Sequence, residues 1–195
     1  MNLWFRLIWM LLTHWRRPRV TPLGSSVLKM TVLPNDLDFN GHVNNGRYLT
    51  LADVGRMDFV LRSGAARVAW QHRALPIVGD AMAKFRRDLK PFQRFELHSR
   101  LLGWDDKWTF LEHRFVRHGR VLGVVVIRGL FKAPEGVLAP DLFAEALGVD
   151  PVSPPLPAWL IEWNDSCEAM SRALRAEENG EAESAPSTLS AQGEM

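Results

Sequence analysis

The sequence predicts an α+β fold in which one long helix is wrapped by an antiparallel sheet, and three observations carry that expectation. A strand-like segment at 27–33 precedes a helical stripe that runs from about 45 to 62. Four further strand-like segments then follow one another at 77–89, 94–103, 108–117 and 120–132. Nothing in that order resembles alternating βαβ units, so a doubly wound parallel sheet is excluded. With 195 residues, 47% apolar and 24% charged, the chain suits one domain with appendages and a sound core.

In order along the chain, residues 3–15 are almost wholly apolar around Arg6, carry Trp4, Trp9 and Trp15, and are followed by Arg16, Arg17, Pro18 and Arg19. A membrane-spanning helix needs about 20 apolar residues, so this run is too short to cross. It lacks the basic start and small-residue cleavage site of a secretory leader. The pattern suits a helix lying in the membrane interface, with Trp at head-group level and Arg facing anionic lipid. Packing of that helix on the body or on a dimer partner is the other reading. Segment 1–19 is therefore set apart from a domain expected at 24–134, with Pro18 and Pro22 breaking the chain between them.

The strand at 27–33 is closed by Pro34 and Asn35. Tyr48, Leu51, Ala52, Gly55, Phe59 and Val60 then recur at helical spacing, giving the stripe that a sheet can cover. Asp53 and Arg56, three apart, can pair on one helix face, which by itself describes an ordinary surface ion pair. Gly64 supplies a helix stop, and 65–76 reads as a connection with a short helix. The strands that follow are expected to be joined by hairpins, with turn chemistry at 104–107 and at His118-Gly119. The cations of 84–90 read either as a binder of phosphate groups or as charge protecting an edge strand from aggregation. A Pro-rich connection with a helical piece near 142–147 leads to an amphipathic helix marked by Trp159, Leu160, Trp163, Cys167, Met170 and Leu174, together spanning 135–176.

From Glu177 to the end there are five Glu and no Lys or Arg, the composition of a disordered acidic tail. The formal net charge of +2 therefore hides a basic body, which points to anionic partners such as phosphates or lipid head groups. The single cysteine excludes an intrachain disulfide framework. Nothing demands an oxidising compartment, and the expectation is a cytoplasmic protein, with a peripheral position on the inner face of the membrane left open. His72, His98, His113 and His118 show no metal-ligand spacing and read as surface or sheet histidines; no metal or redox cofactor is implied.

The chemistry concentrates in Asp36-Leu37-Asp38-Phe39-Asn40-Gly41-His42-Val43-Asn44-Asn45-Gly46-Arg47-Tyr48, which brings a carboxylate, a carboxamide and an imidazole just ahead of the long helix. If Asn44 or Asn45 caps that helix, its N–H groups point back at the loop carrying Asp38. A carbonyl held there meets a base and an oxyanion-stabilising helix end together, the geometry acyl transfer needs.

This string resembles the motif of plant acyl-ACP thioesterases, and its frame is similar to the signature of the 4-hydroxybenzoyl-CoA thioesterase type. Both are hot-dog folds, and the likeness runs from about 28 to 132. The resemblance implies that Asp38 is the catalytic acid of both groups, while Asn40 and His42 fall on two further catalytic positions of the acyl-ACP enzymes. Asp53 and Arg56 match an acidic and a basic position of short acyl-CoA thioesterases. In length and layout the chain resembles single hot-dog proteins with a hydrophobic N-terminal segment.

The implied activity is hydrolysis of an acyl thioester, most simply an acyl-CoA, with Asp38 as general base or as nucleophile through an anhydride. Backbone amides across Val43, Asn44, Asn45 and Gly46 would meet the oxyanion, with Tyr48, Asp53 and Arg56 completing the substrate site. Cys167 lies in a C-terminal helix, which argues against a cysteine nucleophile. The resemblance also implies a homodimer or larger homo-oligomer with the acyl site at the subunit interface, and no nucleic-acid partner. Two alternatives stay open: a membrane-associated acyl-binding protein without turnover, and a hot-dog hydratase, whose Asp-x-Asn-Pro-x-His pattern this chain departs from.

Overall fold

The computed structural model describes residues 2–180. Its first unit, 1–156, carries the sheet and the long helix; a second, from 157 onward, holds one further helix and is described separately.

Helix α1 (Asn2–Thr13) continues into a one-turn 3-10 helix (His14–Arg16). One face of α1 joins the core through Met10, with Leu3 and Leu7 beside it. The opposite face leaves Trp4, Phe5, Trp9 and Leu12 exposed, and Trp15 of the 3-10 turn is exposed beyond it. Among the described residues no helix is long and apolar enough to cross a membrane.

Strand β1 (Ser25–Thr31) precedes the long helix α2 (Asn45–Arg62) and the short α3 (Ala65–Gln71). Strands β2 (Leu75–Phe85), β3 (Arg94–Trp104), β4 (Thr109–Arg117), β5 (Arg120–Ala133) and the short β6 (Gly136–Leu138) follow. They form one antiparallel sheet in the order β1-β3-β4-β5-β2, with β6 also on β5. Strand β5 is apolar on both faces because it lies between β4 and β2 with most of its side chains buried. Helix α2 lays Tyr48, Leu51 and Val54 into the same core as Leu97, Phe115, Val125 and Ile127 of the sheet.

At Gly55 the helix meets the sheet closely. A Cβ there would lie 2.6 Å from Ser99 Oγ and 2.7 Å from Leu97 Cδ2. Helix α2 is also covered on a second side. Asp58, fully buried, accepts from Arg17 Nη1 at 2.7 Å and Arg62 Nη1 at 2.8 Å, and Arg62 Nε donates to the Pro18 carbonyl at 2.9 Å. The expected apolar stripe is therefore joined by buried charges that hold the segment after α1.

Several expected boundaries shift. The first strand lies two residues earlier than 27–33, because the chain leaves the ladder at Val32. The second ends at Phe85 instead of residue 89: Arg86 and Arg87 both donate their amides to the Leu122 carbonyl, which turns the chain away. The connection from β2 to β3 is not a hairpin, since β2 pairs with β5 and β3 with β1 and β4. The cations of 86–90 therefore lie on a crossover loop and not in a strand.

Helix α4 (Pro140–Ala146) forms within the Pro-rich connection. In the second unit α5 (Ala158–Glu178) runs two residues into the segment expected to be tail. The rest of the acidic tail, 181–195, lies outside the described residues.

Candidate active site

Pro34 opens a one-turn 3-10 helix (Pro34–Asp36) that ends on a fully buried carboxylate. Asp36 Oδ2 accepts from the Leu33 amide at 2.9 Å and from Arg6 Nη2 at 2.6 Å, while Oδ1 accepts from Arg47 Nη2 at 2.9 Å. Its carbonyl accepts the Asn44 amide at 2.9 Å. One residue on, Leu37 bridges to Val43 and pins the neck of the loop that carries the predicted catalytic residues.

Within that loop the Asp38 amide donates to the His42 carbonyl at 2.8 Å, and Gly41, at φ +73°, takes the left-handed turn this requires. Asp38 Oδ1 accepts the Asn40 amide at 2.9 Å and the His42 amide at 3.4 Å. Asp38, Asn40 and His42 are thus brought together by backbone bonds to a single carboxylate oxygen, leaving Oδ2 for a reacting group. The Asn40 side chain is exposed, and Phe39 at the loop tip is 98% exposed.

The imidazole of His42 faces Asp88, with Nε2 3.6 Å from Oδ2. Asp88 was not anticipated; its only sequence signal is being the one acid in the cationic stretch 84–90. Arg87, Asp88, Arg117, His118 and Arg120 line a surface groove beside it.

Asn44, not Asn45, caps α2, its Oδ1 accepting the Gly46 amide at 2.9 Å. The Val43 amide is committed to the Leu89 carbonyl at 2.9 Å, and the Asn44 amide to Asp36. Of the four amides expected to face an oxyanion, three therefore already donate within the chain. The Asn45 amide, at the exposed first position of the helix, is left, with the helix dipole behind it.

Tyr48 points into the core, its ring 4.7 Å from Phe115 and 5.0 Å from Phe85, both edge-on. Burial, helped by the charge of Asp88, pushes its hydroxyl up to about 12. Tyr48 fixes the start of α2 against the sheet.

Asp53 and Arg56 do pair, at 2.9 Å, but well along α2, about 12 Å beyond its start at 1.5 Å per residue. Arg56 forms one wall of an apolar cavity of ≈ 90 Å³ that also takes in Val60, Ile77, Leu111, Ile127 and Phe143. That space is several times what one water needs. Behind Arg56 lies His113, fully buried, its Nδ1 2.8 Å from Ser99 Oγ. Burial, and then the charge of Arg56, pulls its pKa down to about 3. His113 Nε2 and Arg56 Nη1 are buried with no hydrogen-bond partner among the described residues. Within one chain the cavity and the Asp38 loop stand at opposite ends of α2.

Residues 32–163 match the model of the thioesterase-like superfamily. Protein THEM6 of Xenopus laevis is 31% identical over 169 residues, 83% of this chain and 80% of that one. A thioesterase of Penicillium oxalicum, poxG, is 32% identical over 98 residues, 43% of this chain and 32% of its own length. The crystal structure of YbaW, a probable thioesterase from Escherichia coli, superposes with a TM-score of 0.58 at 22% identity, over 62% of this chain and 95% of that one. The last likeness concerns the fold.

Proposed function

The chain belongs to the thioesterase-like superfamily and has the hot-dog fold of a thioester hydrolase, and from that premise we propose that it cleaves acyl-CoA with Asp38 as the reacting carboxylate. The observation that carries this reading is the Asp38 loop itself: a carboxylate oriented through Oδ1 by two backbone amides, beside an exposed helix N-terminus with an uncommitted N–H at Asn45.

Asp38 Oδ2 takes a proton from water as that water attacks the thioester carbonyl, or attacks the carbonyl itself to give an anhydride that water then opens. In either route the Asn45 amide and the α2 dipole stabilise the oxyanion, and collapse expels the thiolate. His42, held towards Asp88, and Asn40 orient water or the carbonyl from the same loop. The groove lined by Arg87, Arg117 and Arg120 supports CoA as the carrier, since guanidinium groups suit its phosphates.

Edge strand β2 supports a homodimer. Its N-terminal end, Pro76 to Val78, lines the apolar cavity, and the chain leaving its other end supplies Asp88 and Leu89 to the Asp38 loop. Antiparallel pairing of β2 with β2 of a second copy would set the reacting loop of one subunit beside the acyl cavity of the other. Within one subunit, α2 separates them by about 16 Å along its axis, 11 residues at 1.5 Å each from Asn45 to the cavity wall at Arg56. The exposed Trp face of α1, with Arg16 and Arg19 near it, supports a peripheral position on the cytoplasmic membrane face.

The test is thiol release from a panel running from acetyl-CoA to palmitoyl-CoA with benzoyl-CoA and phenylacetyl-CoA. Asp38→Asn is the decisive variant because its amide oxygen can still accept the Asn40 and His42 amides. Turnover with a chain-length optimum that drops about a hundredfold or more in Asp38→Asn supports the reading. No release by folded protein sinks it.

A further inference from the structure

We propose that Arg6, on the N-terminal helix, is a positioning residue for the Asp38 loop, so that docking of α1 and the geometry of the site form one equilibrium. The inference rests on the reading that Asp38 does the chemistry.

Helix α1 lies outside the segment that matches the family, which begins at residue 32, yet it sends one side chain into the foundation of the loop. Arg6 Nη2 donates to the Thr31 carbonyl at 2.8 Å, where β1 ends, and to Asp36 Oδ2 at 2.6 Å. Asp36 is completely buried and the Arg6 side chain is only 12% exposed. The other carboxylate oxygen takes Arg47 from the first turns of α2. One buried aspartate thereby gathers α1, the turn after β1 and the start of α2.

What leaves Asp36 is the site. Its carbonyl holds the amide of Asn44, the cap of α2, and the next residue bridges to Val43 across the neck of the loop. Withdrawing Arg6 removes one of the two guanidinium groups bonded to Asp36 in a dry setting, where a carboxylate that loses part of its charge pairing gives up its position readily to regain water or charge. Displacing Asp36 moves both Asp38 and the helix end with its Asn45 amide. A misplacement of about 1 Å in such groups can cost about a hundredfold in rate.

The same helix supplies the internal control. Just beyond it, Arg17 bonds Thr13 and Asp58, at the far end of α2 and with no link to the loop. Loss of Arg17 loosens the α1 region as a packed element; loss of Arg6 also releases the loop. Because the face of α1 opposite Met10 is the exposed one carrying Trp4, Phe5 and Trp9, whatever that face contacts acts on the helix that holds Arg6.

The experiment compares full-length wild type with Arg6→Met, Arg6→Lys and Arg17→Met by amide hydrogen exchange at Asp38, Val43 and Asn44, and by kcat and KM for the best acyl-CoA. Arg6→Met is expected to speed exchange at those three amides about tenfold or more. It should lower kcat about tenfold to a hundredfold with little change in KM. Arg6→Lys, which keeps a cation on the side chain that faces Asp36, is expected to restore most of each, and Arg17→Met leaves the three amides and kcat near wild type. Equal effects of Arg6→Met and Arg17→Met, or no effect of Arg6→Met, overturn the proposal. Exchange that follows the expected order in a chain that hydrolyses no thioester supports the coupling and overturns the hydrolase reading instead.

Discussion

Replacing Gly55 by alanine sets two effects against each other. In a helix interior alanine is favoured over glycine by about 1 kcal/mol. Here the added methyl would lie 2.6 Å from Ser99 Oγ and 2.7 Å from Leu97 Cδ2, and both neighbours are wholly buried. Leu97 is wedged in the core, so forcing it or the helix aside costs about 1–3 kcal/mol. Ser99 can turn away only by leaving His113 Nδ1, now 2.8 Å distant, and among the described residues His113 has no partner at Nε2. A buried ring with neither nitrogen bonded costs about another 1–3 kcal/mol. The losses outweigh the propensity gain, and the net destabilisation expected for Gly55→Ala is about 3 kcal/mol. Urea unfolding followed by circular dichroism measures it: at a slope near 2 kcal/mol per molar the midpoint should fall by about 1.5 M with the slope unchanged. A midpoint equal to or above wild type would refute the close approach of helix and sheet, and with it the account of why a glycine stands there.

Three further outcomes are expected. His113 ionises at about 3 in the folded chain against 6.5 for the free side chain, so the unfolded state takes up the proton first. The stability it contributes is present above pH 6.5 and is lost as pH falls towards 3, at up to about 1.4 kcal/mol per pH unit; urea midpoints at several pH values should show His113→Gln losing stability less steeply, and identical slopes would contradict the burial. Flotation with vesicles containing about one-third phosphatidylserine should carry the wild type, and Trp4→Ala/Trp9→Ala together should cut the bound fraction about tenfold; failure of the wild type to float would remove the membrane reading. Ala81 sits exposed near the middle of β2, so Ala81→Lys should give a monomer by sedimentation and abolish turnover, whereas a wild type active as a monomer would rule out a site shared across β2.

The long helix and the succession of strands along the chain were legible because periodicities of 3.6 and 2 survive in a single sequence, and the motif stood out as a string. What stayed hidden depends on partners distant in the chain. Asp58 and Arg62 carry no signal of burial in the sequence, yet they are buried because the segment after α1 brings Arg17 and Pro18 onto them. The alternation of 77–85 is the same whether the strand pairs with its successor or with β5, so a hairpin was expected where the chain crosses the sheet. His113 occupies an ordinary strand position, and its burial is settled by what packs over its partner Ser99, which lies under the close approach of α2 at Gly55. At the site, the grouping of Asp38, Asn40 and His42 followed from spacing. Which amides remain open did not, because the Leu89 and Asp36 carbonyls decide it. Asp88 went unnoticed for the same reason: its meeting with His42 is set by where β2 ends.

The bond from the Val43 amide to the Leu89 carbonyl also bears on the order of assembly. Leu89 is carried into place by β2, and among the described residues β2 pairs with β5 alone, Phe85 with Gly123 and Leu75 with Lys132. Contacts of such sequence separation form slowly, since the intervening chain must be ordered before they repay it. During synthesis, then, the reacting loop near the beginning of the domain has its full set of bonds only once the last long strand has emerged and paired. A chain stopped before β5 keeps every residue of the motif and lacks the site.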